Sequence, residues 1–238
     1  MSNHGTSRRI VLTGGGAAFL AAALTRPASA ASRSFDVGGF TAVRVSVGIQ
    51  AYVAVGEPQA ISAESGDPAN LDRLLVAVED QELNIGFQPN SMISNNDVVV
   101  RVSVPAMGAV RAGSGAHVEV TGLSGATLSL SASSSGTIIA REALGETVTI
   151  ETSSGGIVEV SGTCKQLVAK GSSGAKVLAG DLDCDSVEAK LTSGSEAAVR
   201  AKSSLTATAS TNSRLEVSGN PSSRTVKTST RGTISFAP

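Results

Sequence analysis

Apolar and polar residues alternate in short stretches from residue 118 onward. Every second residue in a stretch is apolar, which is the period of a half-buried β-strand. The stretches come in pairs, one before and one after a cluster of small polar residues. The stretches before the clusters carry Leu128 and Leu130, Val148 and Ile150, Leu167 and Ala169, Val187, Ala189 and Leu191, and Leu205, Ala207 and Ala209; those after carry Val118 and Val120, Val158 and Val160, Val177 and Ala179, Ala197 and Val199, and Leu215 and Val217.

The small polar clusters recur at a nearly constant interval and predict tight turns. The intervals between their last residues are 21, 19, 19, 20, 18 and 20. Asparagine replaces glycine once, and it is the residue next best able to adopt a left-handed backbone conformation. A backbone requirement therefore explains the repeat. The predicted turn residues are Gly115, Gly136, Gly155, Gly174, Gly194, Asn212 and Gly232.

Each repeat thus consists of a strand, a tight turn, a second strand and a looser turn. Two strands in about 20 residues bury no face alone, so neighbouring repeats must stack and share one core. The pattern predicts an all-β fold, a right-handed parallel β-helix with coils of about 19–20 residues, whose equivalent residues lie about 4.8 Å apart. A β-sandwich is the competing fold, but sandwiches seldom repeat one turn at a fixed interval.

Residues 35–107 are less regular, although their pattern remains all-β. Val43, Val45 and Val47 alternate with polar residues, and residues 74–78 are expected to pair with residues 83–87 through a turn at Asp80 and Gln81. Residues 86–97 are polar and predict a loop. Because no linker divides the chain, residues 31–238 are expected to form one domain, with irregular coils at 35–107 and regular repeats at 108–238.

The first 30 residues have the features of an export signal. Arg8 and Arg9 precede an apolar stretch, and Ala28-Ser29-Ala30 provides a small-residue cleavage site. The paired arginines resemble a twin-arginine signal. About 11 apolar residues are too few for a bilayer span, which needs about 20. The mature protein is therefore expected to begin near Ala31, in the periplasm or at the cell surface, without a membrane span.

The repeated Ser-Gly turns behind an export signal resemble the head GIN domain family of auto-transporter adhesins. The resemblance extends to Phe40-Thr41-Ala42-Val43, to the segment from Asn70-Leu71 to Leu83-Asn84-Ile85, and to the strand from Val100 to Pro105. It implies a β-superhelix shaped like pectin lyase-like proteins, without their catalytic residues, and a role in adhesion. No binding residue carries over, because the shared motif is a turn.

Two cysteines occupy the same place in adjacent predicted coils. Cys164 lies three residues before Leu167, and Cys184 lies three residues before Val187. The coil spacing falls within the Cα separation that a disulfide tolerates, and an exported protein meets oxidising conditions. The spacing predicts a Cys164–Cys184 disulfide, with two reduced thiols in stacked turns as the alternative.

Stacking also predicts a row of hydroxyl side chains on the outer face before the tight turns. It comprises Ser133, Ser153, Ser172, Thr192 and Ser210, with Glu151, Lys170 and Lys190 beside it. This face is a candidate contact surface for a polysaccharide or a surface protein, although ordinary solvation of a sheet also explains it. Tight sugar binding is not expected, because the chain has no tryptophan and only one tyrosine, Tyr52.

Composition narrows the remaining function classes. The chain has 238 residues and a net charge of −1; without Arg8, Arg9 and Arg26 of the signal, 16 basic residues face 20 acidic ones, a net charge of −4. A nucleic-acid binder is not expected from this balance. His117, expected to face solvent, is the single histidine after the signal, and Asp181, Asp183 and Asp185 lack the glycine and glutamate of a calcium loop. Neither a metal nor a cofactor is expected.

The preferred hypothesis is a non-enzymatic exported β-solenoid that acts as an adhesin-like or cell-envelope interaction module. One alternative is a carbohydrate-active enzyme of pectin lyase-like fold, for which Glu151, Lys170 and Lys190 are the candidate residues. The other is a structural envelope protein that associates with its own kind, because the ends of a solenoid expose strand edges.

Overall fold

The computed structural model describes residues 30–91, 93 and 96–237. The predicted signal lies outside the described residues except for Ala30. The described part contains one helix, α1 (Pro68–Arg73), and seventeen strands: β1 (Ala31–Phe35), β2 (Ala42–Val45), β3 (Gln50–Val55), β4 (Ala60–Ser65), β5 (Leu74–Glu79), β6 (Glu82–Phe87), β7 (Val99–Val104), β8 (Ala109–Ala112), β9 (His117–Thr121), β10 (Ser124–Ala132), β11 (Thr137–Thr152), β12 (Ile157–Gly171), β13 (Lys176–Leu191), β14 (Glu196–Ala209), β15 (Arg214–Ser218), β16 (Ser223–Thr228) and β17 (Thr233–Phe236).

The regular repeats form stacked coils, as predicted. Segments that lead into the tight turns pair in parallel with their equivalents in the next coil, so Leu128, Val148, Leu167, Val187 and Leu205 lie in one row. We call this surface the leading sheet; it comprises β6, β2, β8, β10, the C-terminal parts of β11–β14, and β16. The segments that follow the turns form the trailing sheet: β7, β3, β9, the N-terminal parts of β11–β14, β15 and β17.

The predicted apolar positions face the interior. Leu128, Val148, Leu167 and Leu205 are each at most 2% exposed, and the corresponding positions of the trailing sheet, such as Val118 and Val177, are also buried. Long β11–β14 continue around a third, short side of the coil before they enter the leading sheet. The predicted β-solenoid is therefore confirmed, with a narrow core of aliphatic side chains.

The tight turns contain two consecutive residues with positive φ, which is the type I′ geometry. The second of the two is Gly115, Gly155, Gly174, Gly194 or Asn212 in five turns, as predicted from their positions. In the other two turns it is Ser135 and Arg231, at φ 61° and 63°. The prediction that Gly136 and Gly232 occupy this left-handed position is therefore wrong; each lies one residue further along.

Gly136 and Gly232 are required for space instead. A Cβ atom on Gly136 would lie 2.4 Å from the carbonyl oxygen of Ala112, and one on Gly232 would lie 2.1 Å from that of Ala209. These oxygens belong to the backbone of the preceding coil, so no side-chain rotation relieves the clash. At these two positions the local backbone leaves no room for a Cβ atom, while serine and arginine accept the left-handed conformation beside the glycine. The equivalent position of other turns carries Ala116, Ala175, Ser195 and Ser213.

The N-terminal coils are closed by antiparallel strands. β2 and β3 continue the leading and trailing sheets, but β5 pairs antiparallel with β6, β4 with β7, and β1 with β4. The expected β5–β6 hairpin turns at Asp80 and Gln81, both with positive φ. Val47 is not an inward strand residue as its alternation predicts: it is 47% exposed and starts a tight turn with Gly48, at φ 58° and 66°.

A carboxylate ties the closing elements together near α1. The Asp97 side chain accepts hydrogen bonds from the Ser65 hydroxyl (2.5 Å), the Gly66 backbone amide (2.6 Å) and the Asn70 side-chain amide (3.1 Å). Ser65 and Asn70 are buried. The hydrogen bond from Ser65, with those from Asn70 and Gly66, holds the pKa of Asp97 below its ordinary value against the opposing effect of burial.

Asp97→Asn is expected to destabilise the protein by about 1–3 kcal/mol at pH 7, because hydrogen bonds to an ionised group are lost. Since folding lowers this pKa, the ionised carboxylate stabilises the fold above about pH 4, and the contribution disappears as the pH falls through the folded-state pKa. Urea unfolding of both proteins between pH 2.5 and 7 measures this. Asp36→Asn, at an exposed position, is the matched control; a wild-type advantage over Asp97→Asn that persists unchanged at pH 2.5 contradicts the assignment.

The predicted disulfide is confirmed. Cys164 and Cys184 are bonded, their Cα atoms are 4.6 Å apart, and they are register partners in the parallel pairing of β12 with β13. Both lie on the short side of the coil, where Cys184 is fully buried and Cys164 is 8% exposed. The bridge therefore joins two neighbouring coils on the short side between the trailing and leading sheets.

Candidate functional site

The five predicted hydroxyl residues do stack along the leading sheet. The backbone N–H of each of them donates to a backbone carbonyl oxygen of the preceding coil, with an N···O distance of 3.0 Å in every case. The five residues are Ser133, Ser153, Ser172, Thr192 and Ser210. All five side chains are half-buried. We call the row of these five residues the hydroxyl face.

Part of the hydroxyl face has no hydrogen-bonding partner within the described chain. Ser210 donates to the carbonyl oxygen of Leu191, and the Thr192 hydroxyl lies 3.4 Å from that of Ser193. The hydroxyls of Ser133, Ser153 and Ser172 make no such bond to any described residue. A hydroxyl has one donor and two acceptor positions, so these three side chains are available to water or to a ligand.

A groove of about 370 Å³ runs beside this row. Glu151, Lys170 and Lys190 come from successive coils in register, and their long side chains stand beside Ser153 and Ser172 in the lining. The Lys170 Nζ donates to Glu151 Oε1 at 2.9 Å. This hydrogen bond raises the pKa of Lys170 above its ordinary value. Lys170 is therefore protonated at neutral pH, while Lys190 has no ion-pair partner among the described residues.

Among the described residues, neither His117 nor Asp181, Asp183 and Asp185 belong to a group of side chains that could hold a metal ion. His117 Nε2 lies 3.3 Å from Glu119 Oε1, a carboxylate neighbour that the sequence spacing did not identify. Asp183 contacts Lys202 at 2.9 Å and Arg200 at 3.8 Å. Within residues 30–91, 93 and 96–237, no three or more His, Cys, Asp or Glu side chains are placed to hold a metal ion.

A second groove, of about 420 Å³, surrounds Tyr52 on the trailing sheet. Sequence reasoning missed this site. The one feature of the sequence that points to this site is the single tyrosine at an outward position of a strand. The other residues of the site come from strands that are distant in sequence, so spacing does not reveal them. We call it the tyrosine groove. Its residues form two rows, and each row takes one residue from β9, β3, β7 and β4 in that order. The first row is Glu119, Tyr52, Arg101 and Ser62, and the second is Thr121, Ala54, Ser103 and Ala60.

Among the described residues, α1 is short, and no helix is long and apolar enough to cross a bilayer.

The chain is a β-solenoid. Its coils stack in parallel, one tight turn recurs in each regular coil, and the leading and trailing sheets each have one face toward solvent. It belongs to the family described as "Putative auto-transporter adhesin, head GIN domain", whose model matches residues 39–221. Family and fold together support an adhesin-like module. Among curated proteins, no sequence matches this chain significantly.

Solved structures of similar fold come from Bacteroides and Parabacteroides species. A "putative adhesin" from Bacteroides fragilis has a TM-score of 0.79 at 17% identity, covering 88% of this chain and 97% of its own. A "putative adhesin" from Parabacteroides merdae has 0.69 at 13%, covering 88% and 96%. A "putative lipid binding protein" from Parabacteroides distasonis has 0.63 at 16%, covering 88% and 97%. At these identities the similarity shows the fold alone.

Proposed function

We propose that this protein is a non-enzymatic, exported adhesin-like module that contacts a polysaccharide or a surface protein through its hydroxyl face. The observation that carries the proposal is the row of register-aligned hydroxyls, three of them without a partner in the described chain, beside the cation of Lys190. Residues 1–30 would direct export by the twin-arginine route, and the mature protein would act in the periplasm or at the cell surface. The family's description as an adhesin supports this role.

An extended surface suits a polymeric ligand better than a small molecule. The hydroxyl face crosses five coils, and its repeat is the spacing of parallel strands, about 4.8 Å. Single hydroxyl contacts contribute little each, about 1 kcal/mol. A ligand that spans several coils adds such contacts without ordering a flexible loop, since the solenoid holds the side chains in place.

Removing the free hydroxyls tests the proposal. In the triple variant Ser133→Ala, Ser153→Ala and Ser172→Ala, binding of a polymer selected from envelope extracts or a polysaccharide panel is expected to weaken about a hundredfold, at about 1 kcal/mol for each lost hydrogen bond. Biolayer interferometry against the immobilised polymer measures the affinity. The control variant carries Thr137→Ala, Thr163→Ala and Thr233→Ala, which remove three hydroxyls from the other two sides.

Equal affinities for the triple variant and its control would contradict the proposed surface. Folded wild-type protein that captures no saturable ligand would remove the adhesin role itself. Turnover of an oligosaccharide in the same samples, lost on substitution of Glu151, Lys170 and Lys190, would instead favour the pectin lyase-like enzyme. The protonated Lys170 argues against that alternative, because a lysine that acts as a general base needs a lowered pKa.

Self-association is the remaining alternative. It would require the strands of the last coil, β16 and β17, to pair with those of another molecule. β16 and β17 each pair with one described strand, β14 and β15. Arg224 occupies an inward position there; its guanidinium lies 4.5 Å from the Phe236 ring centroid and donates to the Asn220 side chain and the Pro221 carbonyl. An inward charge opposes edge-to-edge pairing of strands, which favours the adhesin-like proposal over a self-assembling one.

A further inference from the structure

The tyrosine groove has the shape and chemistry of a small-ligand site. The row of Tyr52 contains the long side chains of Arg101 and Glu119, whereas the second row consists of short side chains. The groove therefore opens beside Tyr52, above the short second row. Tyr52 is 37% exposed, and the Gln50 side-chain amide donates to its hydroxyl at 2.7 Å, which orients the ring. Concave sites that combine apolar lining with a few polar groups are typical of ligand pockets.

A hydrogen-bond donor and an acceptor stand on opposite sides of the ring. Arg101 pairs in register with Tyr52 on the β7 side, where its guanidinium lies 5.8 Å from the ring centroid; Glu119 pairs with it on the β9 side. The guanidinium only donates and the carboxylate only accepts. A ligand hydroxyl group does both, so neighbouring hydroxyls on one ring would satisfy the two side chains together.

The charges around the groove favour a ligand without net charge. Arg101 Nη1 lies 3.7 Å from Glu64 Oε2, and Glu119 contacts His117. Arg101 therefore already faces a carboxylate on a neighbouring strand, and Glu119 adds further negative charge. No surplus cation is left among the residues of the groove to hold a carboxylate or sulfate group.

We propose that the tyrosine groove binds one neutral pyranose unit of a glycan, with the apolar C–H face of the sugar on the exposed part of the Tyr52 ring and its hydroxyls bonded to Arg101 and Glu119. The amphipathic tyrosine ring suits this ligand because it offers an apolar surface beside polar groups. The groove lies on the trailing sheet and the hydroxyl face on the leading sheet, so the site does not depend on the proposed adhesin contact. A single aromatic residue accords with binding that is selective but not tight.

The chain provides its own reporter for this site. It contains one tyrosine and no tryptophan, so intrinsic fluorescence comes from Tyr52. Titration with methyl glucopyranoside, methyl galactopyranoside and methyl mannopyranoside is expected to change this fluorescence saturably with at least one sugar. Methyl glucuronide, which adds a carboxylate, is expected to bind at least fivefold more weakly than its neutral counterpart.

Variants are compared by saturation-transfer NMR, which needs no tyrosine. Tyr52→Ala is expected to weaken binding at least tenfold, whereas Tyr52→Phe, which keeps the ring, stays within about threefold. Phe236→Ala, at a comparably exposed aromatic of the last coil (39%), is expected to bind like wild type. Circular dichroism verifies that each variant is folded.

Three results would overturn the proposal: no glycoside perturbs Tyr52 fluorescence, Tyr52→Ala binds as well as wild type, or decanoate saturates the groove while the neutral sugars do not. The last result would assign the groove to an acyl chain.

Discussion

Leu167→Ala is expected to lower the free energy of unfolding by about 3 kcal/mol. Leu167 is fully buried and lies between Val148 and Val187 in the leading sheet. Leucine-to-alanine changes at such positions cost about 2–5 kcal/mol, because transfer free energy is lost and a cavity remains. The rigid stacking of coils on both sides limits collapse into that cavity. Urea denaturation followed by circular dichroism measures the change.

Leu144→Ala is the matched control for this prediction. It makes the same chemical change at a side chain that is 56% exposed, and exposed substitutions usually stay within about 0.5 kcal/mol. A similar loss at both leucines would mean that Leu167 does not face the core, which would contradict the predicted alternation as well as the structure.

Removal of the Cys164–Cys184 bond is expected to lower stability by about 3 kcal/mol. The two residues are 20 apart, and in the chain-entropy model a loop of this length gives a loss of that size. Because Cys184 is fully buried, alanine substitution would add a packing loss. Urea unfolding of wild type with and without reductant therefore isolates the effect of the bond itself.

The double variant Cys164→Ala and Cys184→Ala provides the control for reduction. Its stability is expected to be the same with and without reductant, and below that of oxidised wild type. An oxidised wild type whose midpoint does not move on reduction, despite loss of the bond by mass spectrometry, would show that the bond adds no net stability and would contradict this prediction.

The turn residues show where spacing succeeds and where it misleads. Glycine spacing correctly located Gly115, Gly155, Gly174 and Gly194, because an αL position strongly favours glycine. It misplaced Gly136 and Gly232, because two different constraints select glycine at neighbouring positions. One is the left-handed backbone and the other is contact with the preceding coil, and a sequence pattern does not separate them.

The tyrosine groove could not have been predicted in the same way. Tyr52 belongs to β3, which lies between β7 and β9, and these strands are not neighbours in the chain. Arg101 and Glu119 therefore come beside Tyr52 through pairings that no fixed interval encodes. The antiparallel pairings of β4 with β7 and of β1 with β4, and the Asp97 cluster, were missed for the same reason, whereas the local β5–β6 hairpin was predicted.

The sequence by itself determined the strands of the regular repeats, their stacking and the disulfide. In a solenoid each coil contacts only its neighbours, so a constant interval along the chain translates directly into a position in space. Tertiary structure alone decided how the N-terminal strands pair beyond the β5–β6 hairpin, and the contents of the tyrosine groove. There the chain leaves the repeat, and strands pair according to how they close the end of the core, which depends on non-local contacts rather than on spacing.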